Sequence, residues 1–243
     1  TALYVGYDTS PGIIDVLDPN TLNVISTFKA PSGHDHIRVL SLSSTALYVG
    51  YYTSPGIVDM LDPNTLKLLR TFKARSGHNN ITSLALSSTA LYVGYDTDPG
   101  IVDMLDSNTL KLLHTFKARS GVFSVTSLAL SSTALYVGYS VSPGIVDMLD
   151  ASTLKLIRNF RAPSDHNNVY SLALSSTALY VGYATSSGII DVLNPNTLEL
   201  INDVSPCCGG YIVSNSVGSS IIHGFDGVYT ITPISNDSIR VGD

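Results

Sequence analysis

The sequence has few charges and no long apolar run. Only 13% of its 243 residues are charged, the formal net charge is −6, and the 13 Lys and Arg residues recur singly along the chain. Nucleic-acid binding usually needs a basic stripe that displaces counterions from phosphates, so this composition argues against it. Gly, Asp or Ser interrupts the apolar stretches every few residues, so none reaches the length of a transmembrane helix. We therefore expect neither a nucleic-acid partner nor membrane insertion.

Cysteine is almost absent as well. The two cysteines, Cys207 and Cys208, are adjacent in the chain. Neighbouring cysteines cannot join distant parts of a fold, which excludes a disulfide framework. They form a local disulfide, stay as thiols or bind a soft metal with ligands from elsewhere.

What the sequence does have is an internal repeat. The segment Thr-Ala-Leu-Tyr-Val-Gly-Tyr begins at residues 1, 45, 89, 133 and 177, a spacing of 44 residues, and the stretches 45–88 and 89–132 differ at eight positions. Periods of about 40–50 residues are typical of propellers and solenoids. Residues 221–243 resemble a divergent partial repeat, so we expect a single domain over residues 1–243.

Each repeat contains four segments with the composition of β-strands. In the first repeat, residues 2–7, 13–17, 22–28 and 37–42 are rich in aromatic, aliphatic and β-branched residues. Turn signals separate these segments, and no window has a sustained helical period. Apolar residues on both faces of such a sheet imply packing against neighbouring sheets. The sequence therefore predicts an all-β fold, a β-propeller of four-stranded blades.

The repeat resembles the YVTN-type propeller repeat over roughly residues 1–205. The resemblance lies in Leu3-Tyr4-Val5, Gly12-Ile13-Ile14, Val16-Leu17-Asp18 and Thr21-Leu22. The chain departs from the family pattern in its mid-strand aspartates and in Ser-Ser-Thr, which replaces the usual Pro-Asp-Gly turn. That family includes surface-layer proteins, adhesion modules and some enzymes. With the low charge and abundant Ser and Thr, the resemblance implies an extracellular or cell-surface propeller.

The family's strand order predicts how the repeats form blades. It places residues 37–42 innermost, followed by 47–51, 57–61 and 66–72, so the chain begins at the second strand of its first blade. Six blades are favoured, with residues 220–225 and 228–232 as strands of the last, and a five-bladed ring with a C-terminal appendage is the alternative. Because Ser238–Val241 resembles His36–Val39, we expect it to supply the first blade's missing inner strand and to close the ring.

Differences between the repeats concentrate in two loops, residues 8–10 and 34–36 with their equivalents. In an up-and-down blade both loops lie at the same rim, and loops on a rigid scaffold often carry binding residues. Sequence drift is the alternative explanation. The candidate ligand-binding residues on this variable rim are His34, Asp35, His36, His78, Asn79, Asn80, Phe123, His166, Asn167, Asn168 and Tyr211.

An aspartate recurs in the middle of one strand of every repeat. A buried carboxylate must be paired or hydrogen-bonded. Five copies facing one interior would form a cation or proton site, whereas five copies at separate blade interfaces would be structural. We favour the structural role, with Tyr, Ser or Thr hydroxyls as donors. These carboxylates are Asp15, Asp59, Asp103, Asp147 and Asp191.

Patterns for metals, cofactors and catalysis are weak. The rim histidines come from separate blades, so we expect scattered surface residues. Asp96 and Asp98 are weak calcium ligands, because two carboxylates fall short of the oxygen cage that calcium takes. The absence of tryptophan argues against propellers that stack a quinone on it. Near-identical repeats also lack the unlike carboxylates that acid–base catalysis needs. We predict no catalytic residue, no metal and no cofactor.

These patterns predict a non-catalytic binding or scaffold propeller. It would engage a protein, glycan or small ligand through one variable loop face, and similar repeats would allow multivalent binding. The alternatives are a propeller-type hydrolase or lactonase with a metal in the central channel, and a purely structural assembly subunit. The oligomeric state is not predicted.

Overall fold

The computed structural model describes the backbone of residues 2–185, 188–204, 210–214, 220–224, 227–235 and 238–242, and the side chains of residues 2–185 and 188–203. Cys207 and Cys208 lie outside the described residues. Within the described residues, no helix has the length and apolarity needed to span a membrane.

The described strands form one three-stranded and five four-stranded antiparallel sheets. The first sheet holds β1 (Leu3–Tyr7), β2 (Ile13–Leu17) and β3 (Val24–Lys29). The second holds β4 (Ile37–Leu42), β5 (Leu47–Tyr51), β6 (Ile57–Leu61) and β7 (Leu68–Lys73), and the third holds β8 (Ile81–Leu86), β9 (Ala90–Tyr95), β10 (Ile101–Asp106) and β11 (Leu112–Lys117). The fourth holds β12 (Val125–Leu130), β13 (Ala134–Tyr139), β14 (Ile145–Asp150) and β15 (Leu156–Arg161). The fifth holds β16 (Val169–Leu174), β17 (Leu179–Tyr183), β18 (Ile190–Leu193) and β19 (Leu200–Val204), and the sixth holds β20 (Gly210–Ser214), β21 (Ser220–Gly224), β22 (Gly227–Ser235) and β23 (Ser238–Gly242).

The predicted all-β fold with four-stranded sheets is confirmed. In each four-stranded sheet the strands follow one another in chain order, and the first sheet has three strands. The expected strands 37–42, 47–51 and 57–61 have the bounds that the structure gives to β4, β5 and β6. Among residues 1–117, β4 contacts β8, so the first strands of neighbouring sheets lie side by side.

One prediction about the C-terminal residues is wrong. Ser238–Gly242 forms β23, which pairs with β22 through Ile231 and Val241 rather than completing the first sheet. Only two residues separate β22 from β23 in the sequence, so this pairing closes a far shorter loop than a pairing with residues 3–7 would. The six-bladed count and the single domain over residues 1–243 stay predictions.

The core lies between the faces of successive sheets. The chain divides into two compact units, residues 1–117 and 118–243. In the first unit, Ile14 and Val16 of the first sheet pack with Val49 and Leu61 of the second. The second sheet packs on the third in the same way, and the fourth packs on the fifth in the second unit. Burial of these aliphatic side chains stabilises the sheet pairs by about 25 cal/mol for each Å² of apolar surface.

The turn between the third and fourth strands of a four-stranded sheet recurs with the same geometry. Between β6 and β7, the backbone N–H of Leu66 donates to the carbonyl of Asp62 at 2.8 Å. The Asp62 carboxylate accepts from the N–H groups of Asn64 and Thr65. Leu66 has a φ of 56°, which costs a leucine about 1 kcal/mol. Its side chain is buried between the first and second sheets, and this burial offsets the cost.

Candidate functional site

The two variable loops of a repeat are bonded to each other. In the first unit, the N–H of Gly56 donates to the carbonyl of His78 at 2.9 Å, and the N–H of Asn80 donates to the carbonyl of Thr53 at 2.8 Å. In the second unit, the N–H of Gly144 donates to the carbonyl of His166 at 2.7 Å. In each of these repeats the two loops therefore form a ledge at one end of the sheet.

A left-handed residue connects this ledge to the next sheet. Asn80 has a φ of 50°, a conformation that asparagine tolerates better than most residues. Its carbonyl accepts from the N–H of Asp96 at 2.9 Å while its own N–H bonds to the preceding loop. His36 and Asn168 repeat this geometry, with φ values of 59° and 28°.

Three of the candidate rim histidines lie beneath the loops rather than on them. The side chains of His34, His78 and His166 are only 15%, 11% and 8% exposed. The expectation of surface histidines is therefore wrong for these three. Each ring also contacts the ring of a buried tyrosine, as His34 contacts Tyr51 with centroids 5.4 Å apart. Each of these three histidines lies beneath the loops because its ring forms a hydrogen bond to a buried carboxylate.

In the second sheet that carboxylate is Asp59, which is fully buried. It accepts hydrogen bonds from the Tyr51 hydroxyl at 3.0 Å, from the Thr71 hydroxyl at 2.6 Å and from Nδ1 of His34 at 2.7 Å. Because a carboxylate oxygen is the acceptor in this contact, the hydrogen is assigned to Nδ1 of His34. Burial, followed by the charge of Asp59, raises the pKa of Tyr51, so its hydroxyl stays protonated.

The third sheet repeats this network around Asp103. Tyr95 donates at 3.0 Å, Thr115 at 2.6 Å and His78 Nδ1 at 3.0 Å, and Nη2 of Arg75 lies 3.9 Å away. In the first sheet, Thr27 donates to Asp15 at 2.6 Å. The repeated aspartates thus lie in separate sheets, each with its own donors.

In the fourth sheet, which belongs to the second unit, two of the residues that donate to the aspartate are replaced. At Asp147 the threonine position holds Asn159 and the histidine position holds Val122. Tyr139 still donates at 3.0 Å, and Nη1 of Arg119 lies 3.6 Å from Oδ1. Within the described residues, that Oδ1 is buried and accepts no hydrogen bond. Burial raises the pKa of Asp147, although Tyr139 and Arg119 oppose the rise.

Asp191 in the fifth sheet also lacks one of the hydrogen bonds that the equivalent aspartates accept. Tyr183 donates to it at 2.6 Å and His166 Nδ1 at 3.2 Å, while Asp203 occupies the threonine position opposite. Its Oδ1 also accepts no hydrogen bond within the described residues, although His166 Nδ1 lies 3.1 Å away. Burial is the main cause that raises the pKa of Asp191, and the charge of Asp203 adds to it.

Above this network, the first unit exposes a row of charged and aromatic side chains. Nδ1 of His36 lies 2.6 Å from Oδ1 of Asp8. The guanidinium of Arg38 lies over the Tyr52 ring, 5.3 Å from its centroid. The Tyr52 hydroxyl donates to Asp96 at 2.9 Å, and that hydrogen bond is the main cause that raises the pKa of Tyr52. We call these five residues the Tyr52 surface.

Two cavities open along the Tyr52 surface. One, of about 240 Å³, is lined by Asp8, His36, Arg38 and Tyr52. The other, of about 480 Å³, is lined by residues from loops 76–79 and 96–99, including Asp96 and Asp98, and by Lys117. Among the described residues, no group of three or more His, Cys, Asp and Glu side chains is arranged to hold a metal ion.

The other candidate residues are dispersed along the loops. Asp35 accepts from the Ser10 hydroxyl and Asn79 from the Ser54 hydroxyl, each at 2.8 Å, and Asn167 accepts from Ser142. Phe123 is exposed. Tyr211 was expected in a variable loop, but it lies on β20, paired with His223, and its side chain lies outside the described ones.

The predicted set left out Asp8, Arg38 and Tyr52. A signal was present, because the position of Tyr52 holds Asp, Tyr, Asp, Ser and Ala in successive repeats, and that of Arg38 holds Arg, Thr, Thr and Tyr. Positions 8 and 52 lie in the first variable loop and position 38 lies just after the second, whereas the predicted residues all came from the second loop.

Comparison with known proteins identifies the fold. No family model and no curated protein matches the chain. Among solved structures it is similar to a chain of the mitotic checkpoint complex, with a TM-score of 0.79 and 18% identity over 100% of this chain and 74% of that one. It is also similar to the β-propeller domain of Cps50 (Swd1) from Myceliophteria thermophila, with a TM-score of 0.71 and 16% identity over 98% and 82% of the two chains.

A third similar structure is the computationally designed protein Ika8, with a TM-score of 0.75 and 16% identity over 98% of this chain and 71% of that one. The chain has a β-propeller fold. Identities this low show the fold alone, so the resemblance to the YVTN-type repeat stays a prediction.

Proposed function

We propose that this propeller is a non-catalytic scaffold that binds a partner protein through the Tyr52 surface. The observation that carries the proposal is the convergence of variable positions. Residues 8, 36, 38, 52 and 96 come from three sheets and their loops, yet they form one connected row in which all but the half-buried Asp96 are exposed. The turns at the other end of the sheets, such as residues 62–66, keep nearly the same sequence in each repeat.

The chemistry of this surface suits a protein partner. Tyrosine and arginine are enriched at protein interfaces and among the residues that dominate binding energy. Small-molecule sites, in contrast, are concave and mostly apolar, whereas the residues lining the smaller cavity are Asp8, His36, Arg38 and Tyr52. Asp8, Asp96 and Asp98 would face basic groups of the partner.

The similar structures support a scaffold role in general terms. One of them is a chain of the mitotic checkpoint complex, an assembly of proteins. At 18% identity its partners do not transfer to this chain. An extracellular or cell-surface location remains part of the proposal, supported by the low charge and the YVTN-type resemblance.

The test is a site-directed capture of the partner. A photo-crosslinking residue is placed at Ser54, beside Tyr52, or at Asn64, in the turn at the other end of the sheet. Proteins crosslinked from position 54 are identified by mass spectrometry, purified and titrated calorimetrically against wild-type chain, Tyr52→Ala, Arg38→Ala and the control Asn64→Ala.

We expect Tyr52→Ala to raise the dissociation constant by about tenfold or more, and Asn64→Ala to leave it unchanged. Equal capture from positions 54 and 64, or an affinity that Tyr52→Ala does not alter, would overturn the proposal. Thermal unfolding of each variant checks that the fold is retained.

A further inference from the structure

The basic residues of the chain collect on one type of strand. The last strand of each of the first five sheets (β3, β7, β11, β15 and β19) is paired on one side only, and we call these the outer strands. Lys155 directly precedes β15, Arg158 and Arg161 lie on it, and all three are exposed. The equivalent positions along β7 are Lys67, Arg70 and Lys73. Residues that recur singly in the sequence therefore form basic edges in the fold.

Each outer strand also directs an aliphatic side chain outward. The ladder between β14 and β15 pairs Met148 with Arg158 and Leu149 with Leu156, so Ile157 is a bulged extra residue. A bulge interrupts the ladder and re-aims the side chain it carries. The five bulged residues are 45% to 62% exposed. They are Ile25, Leu69, Leu113, Ile157 and Ile201.

The outer strand β19 has the same aliphatic residues and the opposite charge. Leu200 and the bulged Ile201 are exposed. Glu199 directly precedes β19 at the position where Lys67, Lys111 and Lys155 precede β7, β11 and β15, and the exposed Asp203 follows the bulge. The Thr197 hydroxyl donates to Glu199 at 3.0 Å and holds its carboxylate at the edge.

We infer that β19 of one copy of this chain binds β15 of a second copy, edge to edge. In an antiparallel arrangement, Leu156 and Ile157 lie against Ile201 and Leu200. Arg158 then faces Glu199, and Lys155 lies beside Asp203. A parallel arrangement instead places Lys155 opposite Glu199 and Arg158 beside Asp203, so the opposite charges of the two edges meet in either orientation. Because the bulges interrupt both ladders, side chains rather than a continuous β-ladder make the contact.

Two features favour β15 over β7 and exclude a contact between two β15 edges. Two β15 edges would place cations against cations, so β15 does not pair with itself. On β7, Arg70 is already bonded to the carbonyl of Asn108 at 3.1 Å, and Leu68 is half-buried, whereas β15 exposes both aliphatic residues. The contact is heterologous, so a pair of copies keeps one free β15 edge and one free β19 edge, and chains of copies can grow.

The inference is independent of the proposed function, since it uses no residue of the Tyr52 surface. Sedimentation velocity of the full chain is measured over a range of concentrations at ionic strengths of about 0.02 M and about 0.5 M. We expect concentration-dependent association that is stronger at the lower ionic strength.

Charge-reversal variants of β15 and β19 test whether these two strands form the contact between copies. The double variant Glu199→Lys, Asp203→Lys and the double variant Lys155→Glu, Arg158→Glu should each weaken self-association by about tenfold. An equimolar mixture of the two should associate again, because each supplies an edge that the other has lost. The matched control Lys67→Glu, Arg70→Glu on β7 should associate like the wild type.

Three results would overturn the inference. They are a wild-type chain that stays monomeric at every concentration, association that both reversals leave unchanged, and a mixture that fails to recover it. A monomer that instead binds a synthetic acidic, leucine-rich peptide at β15 would assign the edge to another protein. Circular dichroism of each variant confirms folding.

Discussion

Asn159 lies opposite Asp147 in the ladder between β14 and β15, at the position from which threonine bonds the aspartate of other sheets. Thr71 and Thr115 donate at 2.6 Å to Oδ1 of Asp59 and Asp103. Without that hydroxyl, Oδ1 of Asp147 accepts no hydrogen bond within the described residues. A buried acceptor left unpaired costs free energy that a paired one does not.

Asn159→Thr should therefore stabilise the protein. We expect the free energy of unfolding to rise by about 1 kcal/mol, because a new hydroxyl satisfies Oδ1 of Asp147. Urea denaturation followed by circular dichroism measures the change. Thr115→Asn is the matched variant in the third sheet and should lower stability by a similar amount. Equal stability of wild type and Asn159→Thr would contradict the role given to this hydroxyl.

Arg119 should matter more than its counterpart Arg75. Nη1 of Arg119 lies 3.6 Å from Asp147, where Val122 replaces the histidine, whereas Asp103 keeps His78 at 3.0 Å beside Arg75. We expect Arg119→Ala to lower the free energy of unfolding by about 1 kcal/mol, a small value because the guanidinium is partly exposed. Arg75→Ala should lower it clearly less, because His78 still bonds to Asp103.

A second substitution tests the cause of that difference. Val122→His in the Arg119→Ala background should recover stability, because His34 and His78 already bond to aspartates from the equivalent position. The measurement is again urea denaturation. If Arg75→Ala and Arg119→Ala cost the same, or if Val122→His gives no recovery, the histidine and the arginine are not interchangeable partners.

The sequence was sufficient to predict the strands and the variable loops, because both depend on local composition and on differences between repeats. It was not sufficient for the His–Asp contacts. His34 and Asp59 are 25 residues apart, and His78 and Asp103 repeat that offset. Nothing local indicates that a loop histidine turns inward to the following sheet. The offset recurs at His166 and Asp191, which is a signal that a search for covarying repeat positions would find.

The basic edges were missed for a related reason. Lys155 and Arg158 are single charges when the chain is followed in order, and only the sheet topology shows that they share an unpaired edge with the bulged Ile157. The wrong position for Ser238–Val241 has a different cause. Its likeness to His36–Val39 is real, but pairing with the adjacent β22 closes a shorter loop.

Lowering the pH should stabilise the folded protein through Asp147. Burial raises its pKa above the ordinary value of 3.8, so the folded protein holds this proton over a pH range in which the unfolded chain has lost it. Over that range, just above pH 3.8, lowering the pH stabilises the folded state through this group. We expect Asp147→Asn to remove that contribution. The free energy of unfolding of both proteins is measured at steps between pH 4 and pH 7.

The difference between the two proteins should change with pH in that interval, with the wild type gaining relative to Asp147→Asn as the solution becomes more acidic. A constant difference across the interval would contradict a raised pKa at Asp147. Asp191→Asn provides a parallel case, because burial also raises the pKa of Asp191.

Asp150, in the turn that follows β14, should show the opposite dependence. Its Oδ1 accepts from the N–H groups of Ser152 and Thr153 at 3.0 and 2.9 Å and from their hydroxyls at 2.6 and 2.8 Å. The hydroxyl of Ser152 is the first cause that lowers the pKa of Asp150 to about 2. The ionised carboxylate therefore stabilises the turn above pH 3.8, and this contribution is lost as the pH falls towards 2.

Asp150→Ala should accordingly lower the urea midpoint at pH 7, and its difference from the wild type should shrink between pH 4 and pH 2. The control is Asp98→Ala, which removes an exposed loop carboxylate and should leave the midpoint nearly unchanged. A deficit of Asp150→Ala that stays as large at pH 2 as at pH 7 would show that the side chain acts through something other than its charge. Asp18, Asp62 and Asp106 occupy the same turn position, and hydrogen bonds from the turn outweigh the effect of burial and lower their pKa values, so alanine at each of these positions should show the same pH dependence.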